Sequence, residues 1–298
     1  LVVRPFTSVF SLILIATSLA TMVAAQDETE ARQSFLAQSA EASAFLGLLS
    51  FPQLLEERPI QMKVFRSLSS GNQTIFRAAI ELCLKAPQLE EMPSIKRRFD
   101  NAFVGYNPTK KQAILELAQE NEAFLQDLRV ISLISDALRN EQLQELAVTI
   151  VKQEQRLKEN PAIAEALMNL PGSPIEVDTK LPSFDIFTEN VEAIFQKLGP
   201  EEKSCIDCHK SHPILRLRPV EGGRAGERIQ EHYRNTLRVL DLKEPENSLL
   251  LLKPTLPAPP PGTLIHTGDR TNHSGDTHWG KGSPSYQTLL DWIRTAQQ

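Results

Sequence analysis

The chain has 298 residues, of which 41% are hydrophobic, so it is long enough for one large packed domain or two ordinary ones. Its 32 basic and 37 acidic residues give a net charge of −5, without a long run of like charge. This balance gives no reason to expect a nucleic acid or an anionic membrane surface as a partner.

Residues 1–25 are typical of a secretory signal peptide. Arg4 is their only charged residue, an apolar stretch runs from Val9 to Leu19, and small residues lead to Ala25, after which we expect cleavage. An uncleaved membrane anchor is the alternative, but the apolar stretch is shorter than the ~20 residues that a span needs. We therefore expect an exported protein of the periplasm or cell envelope, with no membrane span in the mature chain.

Residues 26–170 are predicted to be helical almost throughout, because good helix formers dominate and prolines fall near the expected helix ends. A set of six mostly apolar positions recurs four times at intervals of 33 to 35 residues. The positions are Phe45, Leu48, Leu49, Leu55, Gln61 and Phe65; Ala79, Leu82, Cys83, Leu89, Ile95 and Phe99; Ile114, Leu117, Ala118, Phe124, Val130 and Ile134; and Ala147, Ile150, Val151, Leu157, Ile163 and Leu167. Such a period predicts stacked helix pairs that share one core, and because the tetratricopeptide signature is absent we predict a HEAT-like α-solenoid.

The chain has three cysteines, Cys83, Cys205 and Cys208. Cys83 falls inside the repeat pattern and is predicted to be a small buried hydrophobe. Cys205 and Cys208 stand three residues apart, and in an exported chain this spacing favours a cofactor site over a disulfide framework.

A change of composition predicts a second domain after the repeats. Residues 171–182 begin with Pro-Gly-Ser-Pro and interrupt the helical pattern, so we predict a linker there. Residues 183–298 then contain all six histidines and both tryptophans, and we predict a small, mostly helical domain. Its first helix is expected over 184–198 and its last from Ser283 onward, with the two packed together and Trp292 in the core.

The sequence Cys205-Ile206-Asp207-Cys208-His209 predicts one covalently bound haem c per chain. The two thiols lie on one side of a helical turn, where both reach the vinyl groups of a porphyrin, and His209 is then the proximal iron ligand. A thioredoxin-like redox pair would need a βαβ context, which the pattern does not predict. A zinc site is the other alternative, with the later histidines as further ligands.

The residues themselves leave the sixth iron ligand open. No methionine follows Cys208, so this ligand is a histidine or the position is vacant. His212 is too near His209 in sequence to reach the opposite face, and His232 is expected on the surface of an amphipathic helix over 224–240. The remaining candidates lie in a Gly-rich loop before the last helix: His266, His273 and His278.

The segment from Phe184 onward resembles the single-haem cytochrome c modules of planctomycete-type proteins, which are often fused to helical repeats. The matching stretches are Lys203 to His209, Pro245 to Leu250, His273 to Gly275, and Gly282 to Ile293. The resemblance implies that His273 is the distal iron ligand. It leaves His278 as the alternative, because Asp276 stands where those modules have a second glycine.

The expected function is one-electron transfer, by an electron carrier rather than a catalyst, with a redox partner protein docked on the helical repeats. One alternative is a haem-containing subunit of an envelope oxidoreductase. A gas sensor with an open sixth iron position and an interaction protein with a structural haem are the others.

Overall fold

The computed structural model describes residues 27–37, 42–199, 202–220, 222–257, 270, 273 and 278–298. The expected signal peptide over residues 1–25 lies outside these ranges. Every regular element in the described ranges is helical and none is a strand, which confirms the prediction of an all-α protein. The chain divides into two compact units, with the boundary between Phe99 and Asp100.

The first unit is built from short helices around an aromatic core. Phe35 meets Phe45 edge to face, with ring centroids 4.8 Å apart. Its helices are α1 (27–37), α2 (Ala42–Gly47), α3 (Arg58–Ser67), α4 (Gln73–Lys85) and α5 (Pro93–Val104), of which α5 crosses the unit boundary. Short 3-10 turns are at Leu48–Ser50, Pro52–Glu56 and Pro87–Glu91. Helix α4 packs against both α2 and α3.

The first half of the second unit contains two further helix pairs. These are α6 (Pro108–Glu120) with α7 (Leu128–Ala137), and α8 (Gln144–Gln153) with α9 (Pro161–Met168). A 3-10 turn separates the helices of each pair, at Glu122–Gln126 and Gln155–Glu159. Helix α6 packs against α8 and α7 against α9, so equivalent helices of successive pairs are neighbours.

Local sequence explains where these helices begin. The side chains of Asn107 and Asn160 accept hydrogen bonds from the backbone N–H groups of Lys110 and Ala162, and a proline follows each asparagine as the first helical residue. Both arrangements satisfy or remove N–H groups that a helix start leaves without partners.

The order helix, 3-10 turn, helix follows the period of the sequence. The turns begin at residues 52, 87, 122 and 155, and the second helices at residues 58, 93, 128 and 161. Of the 24 predicted core positions all but three are buried, and Leu49, Gln61 and Phe65 are half-buried. Cys83 is buried, as predicted.

In the described part of its second half, the second unit contains one long helical segment and four helices. The segment starts as α10 (Phe184–Ile186) and continues through a π turn (Phe187–Val191) and a 3-10 turn (Glu192–Gln196). The helices are α11 (Cys205–His209), α12 (Ala225–Leu237), α13 (Leu249–Leu252) and α14 (Pro284–Arg294). Further 3-10 turns are at Gly222–Arg224, Pro245–Asn247, Lys253–Thr255 and Thr295–Gln297.

The segment over 184–196 packs against α14, as the sequence predicts. The ring centroids of Phe187 and Trp292 are 5.2 Å apart, and both side chains are buried. The indole Nε1 of Trp292 donates to the carbonyl of Ser183 at 2.8 Å. Trp292 is therefore a core residue whose one polar atom is satisfied.

Residues 171–182 lie within the second unit and contact both of its halves. The hydroxyl of Thr179 donates to the carbonyl of Lys158 at 3.1 Å, and the hydroxyl of Tyr233 donates to the carbonyl of Pro182 at 2.7 Å. Helix α12 packs directly on α9.

Candidate functional site

The Cys-x-x-Cys-His sequence forms the single-turn helix α11, which a capping box stabilises. Backbone N–H of Asp207 donates to Oγ of Ser204 at 3.3 Å, and backbone N–H of Ser204 donates to the Asp207 carboxylate at 2.8 Å. The hydrogen bonds from Ser204 lower the pKa of Asp207. Because a five-residue helix has almost no stability alone, these bonds fix the register of the turn that carries Cys205 and Cys208.

Both cysteines of this turn are free thiols, Cys205 half-buried and Cys208 exposed. Burial, and then the neighbouring Cys208, raises the pKa of Cys205 to about 12. A nucleophilic redox pair has the opposite property, since its attacking thiol has a lowered pKa. The environment of the pair therefore does not favour thiol–disulfide exchange.

The imidazole of His209 is oriented by a backbone carbonyl. Its Nδ1 lies 3.1 Å from the carbonyl oxygen of Leu215, which can only accept, so the Nδ1 carries the proton. Burial lowers the pKa of His209, outweighing the carbonyl, which raises it. The ring is therefore neutral, with its lone pair on Nε2, and this is the usual form of a histidine that ligates a metal.

His212 lies beside His209, with ring centroids 4.8 Å apart. Its Nδ1 accepts the backbone N–H groups of Ile214 and Leu215, at 3.2 and 3.1 Å. His212 therefore shapes the turn that presents the Leu215 carbonyl to His209.

His273 is half-buried, and its Nδ1 is buried with no hydrogen-bond partner among the described residues. Burial lowers the pKa of His273 to about 4, and the charges of His209, Lys253 and His278 contribute to the same shift. His273 thus lies within electrostatic range of His209, from which it is 64 residues away in sequence, as a neutral imidazole whose buried Nδ1 has no partner among the described residues.

His278 is held differently. Its backbone N–H donates to the carbonyl of Pro254 at 2.7 Å, and its ring packs on Gly199, where a β-carbon would lie 2.2 Å from Nδ1 of the imidazole. Its Nε2 is buried and has no partner in the described ranges. The third candidate, His266, lies outside the described residues.

His232 is not on the surface, so that prediction was wrong. The side chain is fully buried, and its Nδ1 lies 3.0 Å from both carboxylate oxygens of Glu192, itself 5% exposed. The predicted helix over 224–240 exists as α12, but the face that carries His232 packs inward. No sequence signal pointed to Glu192, because its partner is 40 residues away.

The donor set fits a haem bound through two thioethers and one imidazole. Two free thiols stand on one turn, and the next residue offers an imidazole nitrogen. A second imidazole, whose Nδ1 has no partner among the described residues, interacts electrostatically with the first. Within the described ranges no three His, Cys, Asp or Glu side chains form a group able to hold a metal ion, as a protein zinc site requires.

Comparisons with known proteins found no match: no family model, no curated protein and no solved structure is similar to this chain. Among the described residues, no helix is long and apolar enough to span a bilayer.

Proposed function

We propose that this protein is an exported c-type cytochrome with one haem, which transfers single electrons in the cell envelope. The observation that carries the proposal is the hydrogen bond from Nδ1 of His209 to the carbonyl of Leu215, beside the free thiols of Cys205 and Cys208. Together these groups supply two thioether positions and one pre-oriented axial ligand. The haem, when bound, supplies an iron that takes up and releases one electron.

His273 is the distal ligand in this proposal, and His278 is the alternative. Both imidazoles have a buried nitrogen without a partner among the described residues, and the influence of His209 on the pKa of His273 supports the first choice. The ring of His278 packs on Gly199, and this contact favours a packing role for it. Ligation by two imidazoles predicts a lower reduction potential than ligation by histidine and methionine.

The domain organisation that goes with this function is a HEAT-like α-solenoid over residues 26–170, a connection over 171–182 and a cytochrome c domain over 183–298. The recurring order of helix, 3-10 turn and helix supports the first part. The packing of Phe187 on Trp292, which joins the first and last helical segments of residues 183–298, supports the last. The repeats then offer an extended surface for docking of a redox partner.

The protein is an electron carrier rather than a catalyst in this proposal. A haem-containing subunit of an envelope oxidoreductase remains the alternative, as does a gas sensor with an open sixth iron position. A low-spin ferric absorption spectrum without added ligand would argue against the sensor, because it requires two strong axial ligands.

The test is production of the protein in a host with c-type cytochrome maturation, followed by a pyridine haemochrome assay and absorption spectra. The wild type is expected to hold one haem that resists acid–acetone extraction, and Cys205→Ser and Cys208→Ser each to lose one thioether, which shifts the haemochrome band. Cys83→Ser is the matched control, since it changes a buried cysteine outside the motif and should leave the spectrum unchanged. Colourless or zinc-containing wild-type protein would refute the proposal.

A further inference from the structure

The backbone from Leu215 to Arg218 connects His209 to helix α12. Leu215 accepts the Nδ1 proton of His209, and the N–H of Leu217 donates to the carbonyl of His209 at 3.1 Å. This four-residue stretch, which we name the proximal segment, forms no regular secondary structure. Its conformation therefore depends on the side chains that bind its backbone.

Two buried side chains of α12 bind the proximal segment. Nδ2 of Asn235 donates to the carbonyl of Arg216 at 2.7 Å. Nε2 of His232 accepts the backbone N–H of Arg218 at 2.8 Å. Asn235 is 2% exposed and His232 is fully buried, so the side-chain partner in each hydrogen bond is buried.

A third buried residue fixes the orientation of His232. Because Nε2 of His232 accepts a hydrogen bond, its proton is on Nδ1, which points at the carboxylate of Glu192, 3.0 Å away. A buried carboxylate beside a buried imidazole is costly unless both are satisfied, and here the pair satisfies both. His232 and Asn235 thus bind the proximal segment directly, and Glu192 acts on it through His232.

We infer that Glu192, His232 and Asn235 are positioning residues for His209. They hold the proximal segment so that the Leu215 carbonyl fixes the rotation of the His209 ring and strengthens its Nε2 as a ligand. The inference rests on the proposed function, because an effect of Glu192, His232 and Asn235 on the iron requires that the chain binds haem.

The first test is Asn235→Leu in the haem-loaded full chain. The substitution keeps the size and neutrality of the side chain and removes its hydrogen bond to Arg216. We expect shifted ferric EPR g-values, which report the orientation of an axial imidazole, and a higher midpoint potential, because a weaker bond to Leu215 makes His209 a poorer donor to ferric iron.

Tyr233→Phe is the matched control. It removes a buried hydrogen bond of the same helix, from Tyr233 to the carbonyl of Pro182, which is not part of the proximal segment. We expect it to lower the midpoint denaturant concentration while the g-values and the midpoint potential stay as in the wild type.

The second test separates positioning from packing with His232→Leu and the double variant Glu192→Leu/His232→Leu. Loss of His232 alone leaves a buried carboxylate without its partner, whereas the double variant replaces the pair by apolar groups. The double variant is expected to recover the stability that the single variant loses. Its g-values should remain shifted, because the N–H of Arg218 still lacks its acceptor.

Wild-type g-values and midpoint potential in both Asn235→Leu and the double variant would overturn the inference. Wild-type protein without haem would instead refute the proposed function. The network can be tested in that case too, by 15N NMR of the full chain: a His232 proton found on Nε2 rather than Nδ1 would refute the network alone.

Discussion

The imidazole of His278 lies against the α-carbon of Gly199, so closely that a β-carbon on residue 199 would stand 2.2 Å from its Nδ1. The backbone of His278 is held in this place, because its N–H donates to the carbonyl of Pro254. A β-carbon at residue 199 would therefore force this ring or the local backbone to shift.

Gly199→Ala is therefore expected to destabilise the protein by about 1–3 kcal/mol through this steric clash. Chemical denaturation measures the effect. Gly226→Ala in α12 is the control, since nothing lies within 4 Å of its new β-carbon, and it should be neutral or stabilising by up to about 1 kcal/mol. Equal stabilities of the two variants would contradict the crowding at Gly199.

Replacement of the two candidate distal histidines separates their roles. His273→Ala should convert a low-spin ferric haem to a high-spin one and open the iron to carbon monoxide in the reduced state. His278→Ala, as the paired variant, should keep the wild-type absorption spectrum, because its ring packs on Gly199. The reverse pattern would make His278 the ligand, and unchanged spectra in both variants would exclude the pair.

The buried phenol of Tyr233 predicts a loss of stability in alkali. Burial raises the pKa of Tyr233 to about 12, against about 10 in the unfolded chain. Below pH ~10 the phenol is protonated in both states, and its burial contributes fully to the free energy of unfolding. Between pH ~10 and pH ~12 the unfolded state binds fewer protons than the folded state, so the free energy of unfolding decreases as the pH rises.

Tyr233→Phe has no such group. At neutral pH it should be less stable than the wild type by about 1 kcal/mol, because it loses the hydrogen bond to Pro182. Above pH ~10 the difference should shrink and then reverse, with a total change on the order of 2 kcal/mol. Urea denaturation of both proteins between neutral pH and pH ~12 measures this change. A stability difference that does not vary with pH would contradict the burial of the phenol.

Glu165 joins the two halves of the second unit. It forms ion pairs with Arg139, which precedes it in the repeats, and with Arg234 of α12, and it is 6% exposed. Glu165→Gln leaves two half-buried guanidinium groups without their carboxylate and should lower the free energy of unfolding by roughly 1–3 kcal/mol.

The exposed pair of Glu159 with Lys243 gives the control for this prediction. Glu159→Gln removes an ion pair between the same two halves, but in solvent, where such pairs contribute little. Glu159→Gln should leave the midpoint of the unfolding transition unchanged. A similar loss in both variants would show that burial of Glu165 has no special effect.

Local patterns in the sequence determined the helices and their caps. The apolar spacing around Ile114 and Val130, the Asn107 cap and the Ser283-Pro284 helix start are each encoded within a few residues, so the elements and most of the buried positions could be predicted. The turn that carries Cys205, Cys208 and His209 is likewise a local feature, since its capping box spans only four residues.

Tertiary structure alone decided which polar side chains meet. The 40-residue separation of Glu192 and His232 leaves no periodic trace, and the polar face of α12 gave the wrong expectation of a surface histidine. The nearness of His273 to His209, and the contact of His278 with Gly199, also depend on chain segments that return from a distance. Helix formation follows short-range hydrogen bonding and side-chain period, whereas the burial and pairing of charges depend on which surfaces the whole fold brings together.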